Sequence, residues 1–280
     1  MLAKRIATAV VLVPLVVAAL FLLPPRAFGM VLLAIVLAAA HEWAKLAGFA
    51  SFRYLLFVGG TLLFGLALLF GAAGFDRGWP SGVVLVVCGA ATLFWLAIAP
   101  PWVAQRWRSR SPVALMMAGW VVLIGAWLAL TELQARSPWL VLAAMAIVWI
   151  ADTAAYFAGR AFGRRKLAPE VSPGKTWEGV YGGLAAVVVY ALVLVPLAGR
   201  AGFRGTVDAA TIAFWVALAA ALAAVSVVGD LFESLLKRHA GVKDSGTLLP
   251  GHGGVLDRTD ALLAAMPPAA LAATFLLSRP

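Results

Sequence analysis

Nine apolar runs, each long enough to cross a bilayer, leave this chain few ways to fold. They cover approximately 6–23, 28–47, 54–72, 81–99, 113–131, 138–158, 177–198, 209–229 and 260–278. About 20 mostly apolar residues make one helical crossing, and inside lipid only helices or closed barrels satisfy every backbone polar group. The runs are continuous rather than alternating, which argues against a barrel. Only 12 % of the 280 residues are charged, against about a quarter in soluble domains. The connections are too short for a separate soluble unit. The expectation is an all-α polytopic membrane protein with one domain, 1–280, in which 1–135 are N-terminal scaffold spans and 136–280 form the catalytic half. Lys4 and Arg5 precede the first run as in a signal peptide, but the run ends in Leu23-Pro24-Pro25 without a small-residue cleavage site, so it is expected to persist as a span. The single cysteine, Cys88, lies within an apolar run and can form neither an internal disulfide nor a thiolate metal site.

The charge pattern orients these spans. With the N-terminus inside, 16 of the 22 lysines and arginines fall on the inner side and six on the outer. The positive-inside rule thus predicts a cytoplasmic N-terminus and an outer C-terminus. Attraction to anionic lipid accounts for the net charge of +10, so nucleic acid is not an expected partner. Trp43, beside Glu42 at the inner end of the second run, reads as an interfacial aromatic.

The acidic residues are distributed unevenly. Nine of the 12 follow residue 150, and eight of those nine lie on the inner side, a concentration that topology does not require. Asp152 sits inside the sixth run, about 9 Å from its inner end at about 1.5 Å per residue, and shares a helix face with Tyr156 and Gly159. A carboxylate at that depth is a candidate functional group or a hydrogen-bond partner for a neighbouring helix. The following connection contains Ser172-Pro173-Gly174-Lys175-Thr176, then Glu178. It lacks the Walker spacing, which excludes a P-loop NTPase. Even so, Gly174 frees the backbone, Lys175 brings a point charge, and Thr176 can cap a helix whose N-terminus favours phosphate. An ordinary basic loop is the plainer alternative.

Past the eighth run, Asp230, Glu233, Ser234 and Lys237 fall at i, i+3, i+4 and i+7 on one helical face. The loop beyond holds Lys243, Asp244, His252, Gly253 and Gly254, and amides around the two glycines could form an anion nest. Asp257, Arg258 and Asp260 then open the last run, with the two carboxylates on one face. One or two carboxylates plus substrate phosphates are the usual way to hold Mg²⁺. Acidic residues also favour helix starts, which explains one aspartate but not its company.

From Ser234 to Asp260 the chain resembles the signature of the phosphatidate cytidylyltransferases: Ser234, Lys237-Arg238, Lys243-Asp244, Gly246, Pro250, His252-Gly253-Gly254, Asp257-Arg258 and Asp260 all match. The stretches Asp152–Tyr156 and Ser172–Gly179 are also similar to that family, whereas the first five spans match in hydrophobicity alone. The resemblance implies that CTP and phosphatidate give CDP-diacylglycerol and pyrophosphate with Mg²⁺, in a homodimer of the bacterial cytoplasmic membrane. It implies Asp230 and Asp257 as metal ligands with Asp260 nearby. Lys237, Arg238, Lys243 and Arg258 would face nucleotide or lipid phosphates. Asp152, Ser172, Lys175, Glu178, Ser234, Asp244, His252, Gly253 and Gly254 complete the expected substrate contacts. Two alternatives stand beside it: a cytidylyltransferase or kinase acting on a prenyl lipid, and an ion-coupled transporter using Asp152. Carboxylates crowded into one surface and one half of the chain favour the enzyme over the transporter.

Overall fold

A computed structural model describes residues 14–71, 75, 78–194, 208–248, 251 and 253–277. Eight helices within these residues are long and apolar enough to cross a membrane. They are α1 (Pro25–Leu46), α2 (Ser51–Gly71), α3 (Ser81–Ala104), α4 (Pro112–Arg136), α5 (Pro138–Phe162), α6 (Trp177–Leu194), α7 (Ala209–His239) and α8 (Leu256–Leu276). The protein is therefore an all-α polytopic membrane protein, as its apolar runs require. Of the first run, 6–23, residues 6–13 lie outside the described residues, and 14–22 are helical. A short antiparallel hairpin, β1 (Lys166–Ala168) and β2 (Ser172–Thr176), joins α5 to α6.

The helices stop where the local chemistry says they should. Ser111 caps α4 through Ala114 N, and Asp208 caps α7 through Thr211 N, each supplying an acceptor to an otherwise unpaired amide. Helix α7 continues ten residues past the expected end at 229. Leu231, Phe232, Leu235 and Leu236 stay buried on one side, while the polar residues take the other. Gly241, at φ +73°, then ends it, with Val242 N donating to Lys237 O at 3.0 Å, a glycine-terminated cap of the usual kind. The apolar π-helical stretch Phe94–Ile98 lies within α3.

Water-driven burial contributes little between helices in lipid, so close packing of small residues has to carry the association. Helices α5 and α6 meet along such a seam. A Cβ on Gly179 would stand 2.8 Å from Ala155 O, one on Gly183 2.8 Å from Ala151 O, and one on Gly182 2.3 Å from Ala158 Cβ. Helices α7 and α8 cross as tightly at Gly229, where a Cβ would lie 2.6 Å from Asp260 O. Trp43 differs from its expected interfacial place. It is buried, donates from Nε1 to Leu115 O at 3.1 Å and stacks on Phe232, because α4 and α7 cover that side of α1. Cys88 is fully buried in the core.

The two ends of the bundle are chemically distinct. At one end, Glu132 and Arg136 form a buried ion pair at 2.6 Å; Glu132 also accepts from Trp79 N and Thr274 Oγ1 and so ties together α4, α8 and the segment leading into α3. At the other end converge the C-termini of α1, α3, α5 and α7 with the N-termini of α6 and α8. Packing along the α5–α6 seam is thus sensitive to size. Gly183→Leu is expected to lower the melting temperature in detergent, at a cost of about 1–3 kcal/mol for overpacking. Gly59→Ala, where a Cβ meets nothing within 4 Å, should leave it unchanged or slightly raised.

Candidate active site

Three elements bring the acidic and basic residues together. Helix α7 presents Asp230, Glu233, Ser234 and Lys237, α8 presents Asp257 and Asp260, and β2 presents Lys175. Lys237 Nζ lies 2.6 Å from Asp257 Oδ1 and 2.5 Å from Glu233 Oε2. Lys175 Nζ lies 2.5 Å from Asp230 Oδ2, and Ser234 Oγ donates to the other oxygen of Asp230 at 3.3 Å. Asp230 is within electrostatic range of both Asp152 and Asp260. Asp152 on α5 thus faces the same cluster, though it is an exposed side chain. Helix α5 runs to Phe162 rather than 158, which sets Asp152 about 15 Å from the helix end at about 1.5 Å per residue.

Asp257 is the most heavily bonded member. Its Oδ1 accepts from Lys237, and its Oδ2 accepts from Ser245 N at 2.8 Å, Ser245 Oγ at 3.0 Å and Gly254 N at 2.8 Å. These bonds revise one expectation. The amides that seemed open to phosphate near Gly253 and Gly254 include some already given to carboxylates of the chain. Gly254 N serves Asp257, while Val255 N and Leu256 N serve Glu42 at 3.0 and 2.9 Å. Gly253, at φ +83°, lets the loop turn past Asp257, since a Cβ there would stand 2.7 Å from Asp257 Oδ2. His252 lies outside the described residues.

The remaining expected residues divide by what they touch. Glu178 accepts from Arg164 N at 3.0 Å and Arg165 N at 3.2 Å, so it closes the base of the hairpin that carries Lys175. Thr176 caps α6 through Gly179 N at 3.1 Å. Arg238 donates to Val171 O and Val242 O, each at 3.3 Å, and thereby ties α7 to the hairpin turn. An Arg106–Glu170 ion pair fastens the same turn to the end of α3. Ser172 lies on β2 opposite Ala168. Lys243, Asp244 and Arg258 are exposed at the same end. A cavity of about 430 Å³ opens between α3, the hairpin and α7. Its Val228 and Leu231 lie on the face of α7 turned roughly 140° from the charged residues at about 100° per residue, so it is distinct from the cluster.

Two residues to which the sequence assigned no role emerge here: Glu233, already placed on the charged face of α7, and Glu42. Glu233 is buried, and Lys237 is close enough to pair with it, yet neither carboxylate oxygen is aligned for a hydrogen bond. Its spacing from Asp230 was the available signal. Glu42 belongs to α1, more than 200 residues away in sequence, and only its position at the end of an apolar run hinted at use.

The chemistry of the donor set suits a hard divalent cation. Asp230, Glu233, Asp257 and Asp260 offer carboxylate oxygens, and two ammonium groups already sit against three of them. Among the described residues no three acidic, histidine or cysteine side chains form a ready metal cage. Mg²⁺ does not need one, since it commonly takes one or two carboxylates and completes its shell with water and substrate phosphates.

The comparison with known proteins bears on what this cluster serves. The cytidylyltransferase family model matches residues 3–276. The chain belongs to that family. It is 41 % identical over 281 residues, covering 95 % of both chains, to the phosphatidate cytidylyltransferase of Pseudomonas aeruginosa. The Haemophilus influenzae protein of the same name is 37 % identical over 95 % of this chain and 96 % of its own, and that of Brucella suis 38 % over 85 % and 81 %. Family membership therefore spans the N-terminal helices as well as the motif-bearing half.

The two lysines of the site differ in what their loss should cost. Lys237→Met strands Asp257 and Glu233, both nearly buried, and breaking a buried pair costs about 3–5 kcal/mol. Lys175→Met frees a pair that is about a quarter exposed on each side, for which about 1 kcal/mol is expected. Thermal unfolding in detergent should show a clear drop for the first variant and a small one for the second.

Proposed function

We propose that this chain is a CTP:phosphatidate cytidylyltransferase, transferring CMP from CTP to phosphatidate to give CDP-diacylglycerol and pyrophosphate for phospholipid synthesis. Its near full-length relatedness to the Pseudomonas aeruginosa phosphatidate cytidylyltransferase carries the reading, and the cluster supplies the chemistry such a transfer needs. An oxygen of the phosphatidate phosphomonoester attacks the α-phosphorus of CTP. The bond from that phosphorus to the bridging oxygen of the β-phosphate breaks, and pyrophosphate leaves with the electron pair. The nucleophile is largely ionised at neutral pH, so no strong base is required. The obstacle is the approach of two anions, which calls for positioning and charge neutralisation.

Each side chain then has a task. Lys175 and Lys237, held by carboxylates on α7 and α8, can turn their ammonium groups to incoming phosphates. Arg258 and Lys243 add positive charge at the rim, and Arg238 fixes the hairpin while remaining exposed. Ser172 and Ser234 can donate hydroxyls to phosphate oxygens. Asp152, Asp244 and His252 are assigned to substrate contact with less specific roles. Asp230 and Asp257, with Asp260 beside them, would hold Mg²⁺, which when bound neutralises charge on the CTP phosphates.

The surroundings follow from the same reading. The acyl chains of phosphatidate stay in the bilayer while its head group reaches the charged end of the bundle from the side. That end faces the cytoplasm of a bacterium, where CTP is, in keeping with the 16 inner cations; the N-terminus is then inside and the C-terminus outside. The enzyme acts as a homodimer in the cytoplasmic membrane, and 1–135 serve chiefly as scaffold for the catalytic half, 136–280.

Purified protein in detergent, given CTP, Mg²⁺ and phosphatidate, is expected to form CDP-diacylglycerol and pyrophosphate in equal amounts. EDTA should abolish the product, and a prenyl phosphate should neither replace phosphatidate nor compete with it. Product from the prenyl phosphate alone would overturn the substrate assignment.

A further inference from the structure

We propose that Glu42 on α1 is a positioning residue for cytidylyl transfer, holding the start of α8 and Ser245 so that Asp257 meets Lys237 in a single orientation. The inference rests on the cytidylyltransferase reading above and concerns a helix that its signature does not cover.

Glu42 is 1 % exposed. A carboxylate so buried needs donors, and three neutral ones surround it. Val255 N reaches Oε1 at 3.0 Å, while Leu256 N and Ser245 Oγ each reach Oε2 at 2.9 Å. The first amides of a helix have no acceptor within it, and the positive end of the helix dipole favours an anion. Glu42 and the start of α8 therefore satisfy each other across the bundle.

The loop is shaped around this carboxylate. A Cβ on Gly246 would stand 2.4 Å from Glu42 Oε1, and one on Gly254 2.5 Å from Glu42 Oε2. Any larger side chain at either place would collide with the carboxylate or push it away. Gly246 thus owes its smallness to a residue outside the motif, and Gly254 to that residue together with Ser245 Oγ, which a Cβ would approach to 2.2 Å.

From Glu42 the constraint passes to the reacting end of the site. Ser245 Oγ lies 2.9 Å from Glu42 and 3.0 Å from Asp257 Oδ2, and Asp257 N donates to it at 3.3 Å. The hydroxyl has one proton, which it gives to one carboxylate at a time, but it lies within reach of both and accepts from the backbone of Asp257, so it couples the position of Asp257 to that of Glu42. Asp257 immediately follows Leu256, whose amide Glu42 holds. A shift at this helix start would move Asp257, Arg258 and Asp260 together, and misplacement by about 1 Å can cost about a hundredfold in rate.

The test compares Glu42→Gln and Ser245→Ala with the parent protein in detergent. Steady-state kinetics with CTP, phosphatidate and Mg²⁺ is paired with amide hydrogen exchange. Glu42→Gln keeps the size but sets an NH₂ group against a donor. It is expected to lower kcat at least tenfold, leave KM for phosphatidate within twofold, and raise the Mg²⁺ concentration for half activity several-fold. Amides 245–257 should exchange faster while those of α5 and α6 do not. Ser245→Ala should show the same pattern in smaller degree, and it decides the matter if Glu42→Gln does not fold. Unchanged kcat and Mg²⁺ dependence in a folded variant would overturn the proposal, as would faster exchange throughout the bundle with normal kinetics of the folded fraction. An inactive parent protein would instead overturn the cytidylyltransferase reading on which the proposal rests.

Discussion

Asp257 is the joint on which the charged end of this protein depends. One carboxylate binds Lys237 of α7 through one oxygen and the 245–254 loop through the other. Without it, Lys237 would pair with Glu233 alone, and the glycine-rich loop would lose its inner anchor. The two oxygens do different work: the loop-facing one takes two backbone amides and lies within reach of the hydroxyl that Ser245 shares with Glu42, so orientation is fixed, while the other meets the ammonium group of Lys237. A carboxylate that is rigid on one side and exchangeable on the other suits a site that must accept charged phosphates and release them.

The rest of the architecture brings such charges close without leaving them unbalanced. In the apolar interior an unpaired ion is costly, and pairing is the condition for keeping it. Each lysine here faces a carboxylate from another element or another turn, Lys175 with Asp230 and Lys237 with Asp257 and Glu233. That is possible only because the helices approach closely. Gly229 sits one residue before Asp230 and lets α7 touch the backbone of Asp260. The α5–α6 seam likewise brings the hairpin and its Lys175 over the end of α7. Small residues in the membrane and charges at its surface are thus parts of one arrangement.

Much of this was legible in the sequence. The eight described spans begin within four residues of their apolar runs and, α7 apart, end within five; α7 runs ten residues further because polar residues can continue a helix once one side remains packed. The company of Asp230, Lys237, Asp257 and Asp260 followed from helical spacing and from the resemblance of Ser234–Asp260 to a known signature. Glu42 was hidden for a physical reason. Its partners are backbone amides and a hydroxyl more than 200 residues away, and such contacts leave no local periodicity. Trp43 misled for a related reason, since an aromatic at the end of an apolar run reads the same whether lipid or another helix covers it. The occupied amides beside Gly254 could not be foreseen, because a glycine-rich loop that binds a substrate anion and one that binds the chain's own carboxylates are spelled alike.

The most direct test is the turnover of Asp257→Asn beside the parent protein, with CTP, Mg²⁺ and phosphatidate, after both are shown to be folded by melting temperature and size-exclusion profile. Asparagine can still offer an oxygen to Ser245 and Gly254, but it loses the charge and turns an NH₂ group toward Lys237. The account predicts an intact fold with kcat reduced at least about a hundredfold, the scale on which loss of one electrostatic group acts in such sites. Near-normal turnover by the folded variant would contradict it.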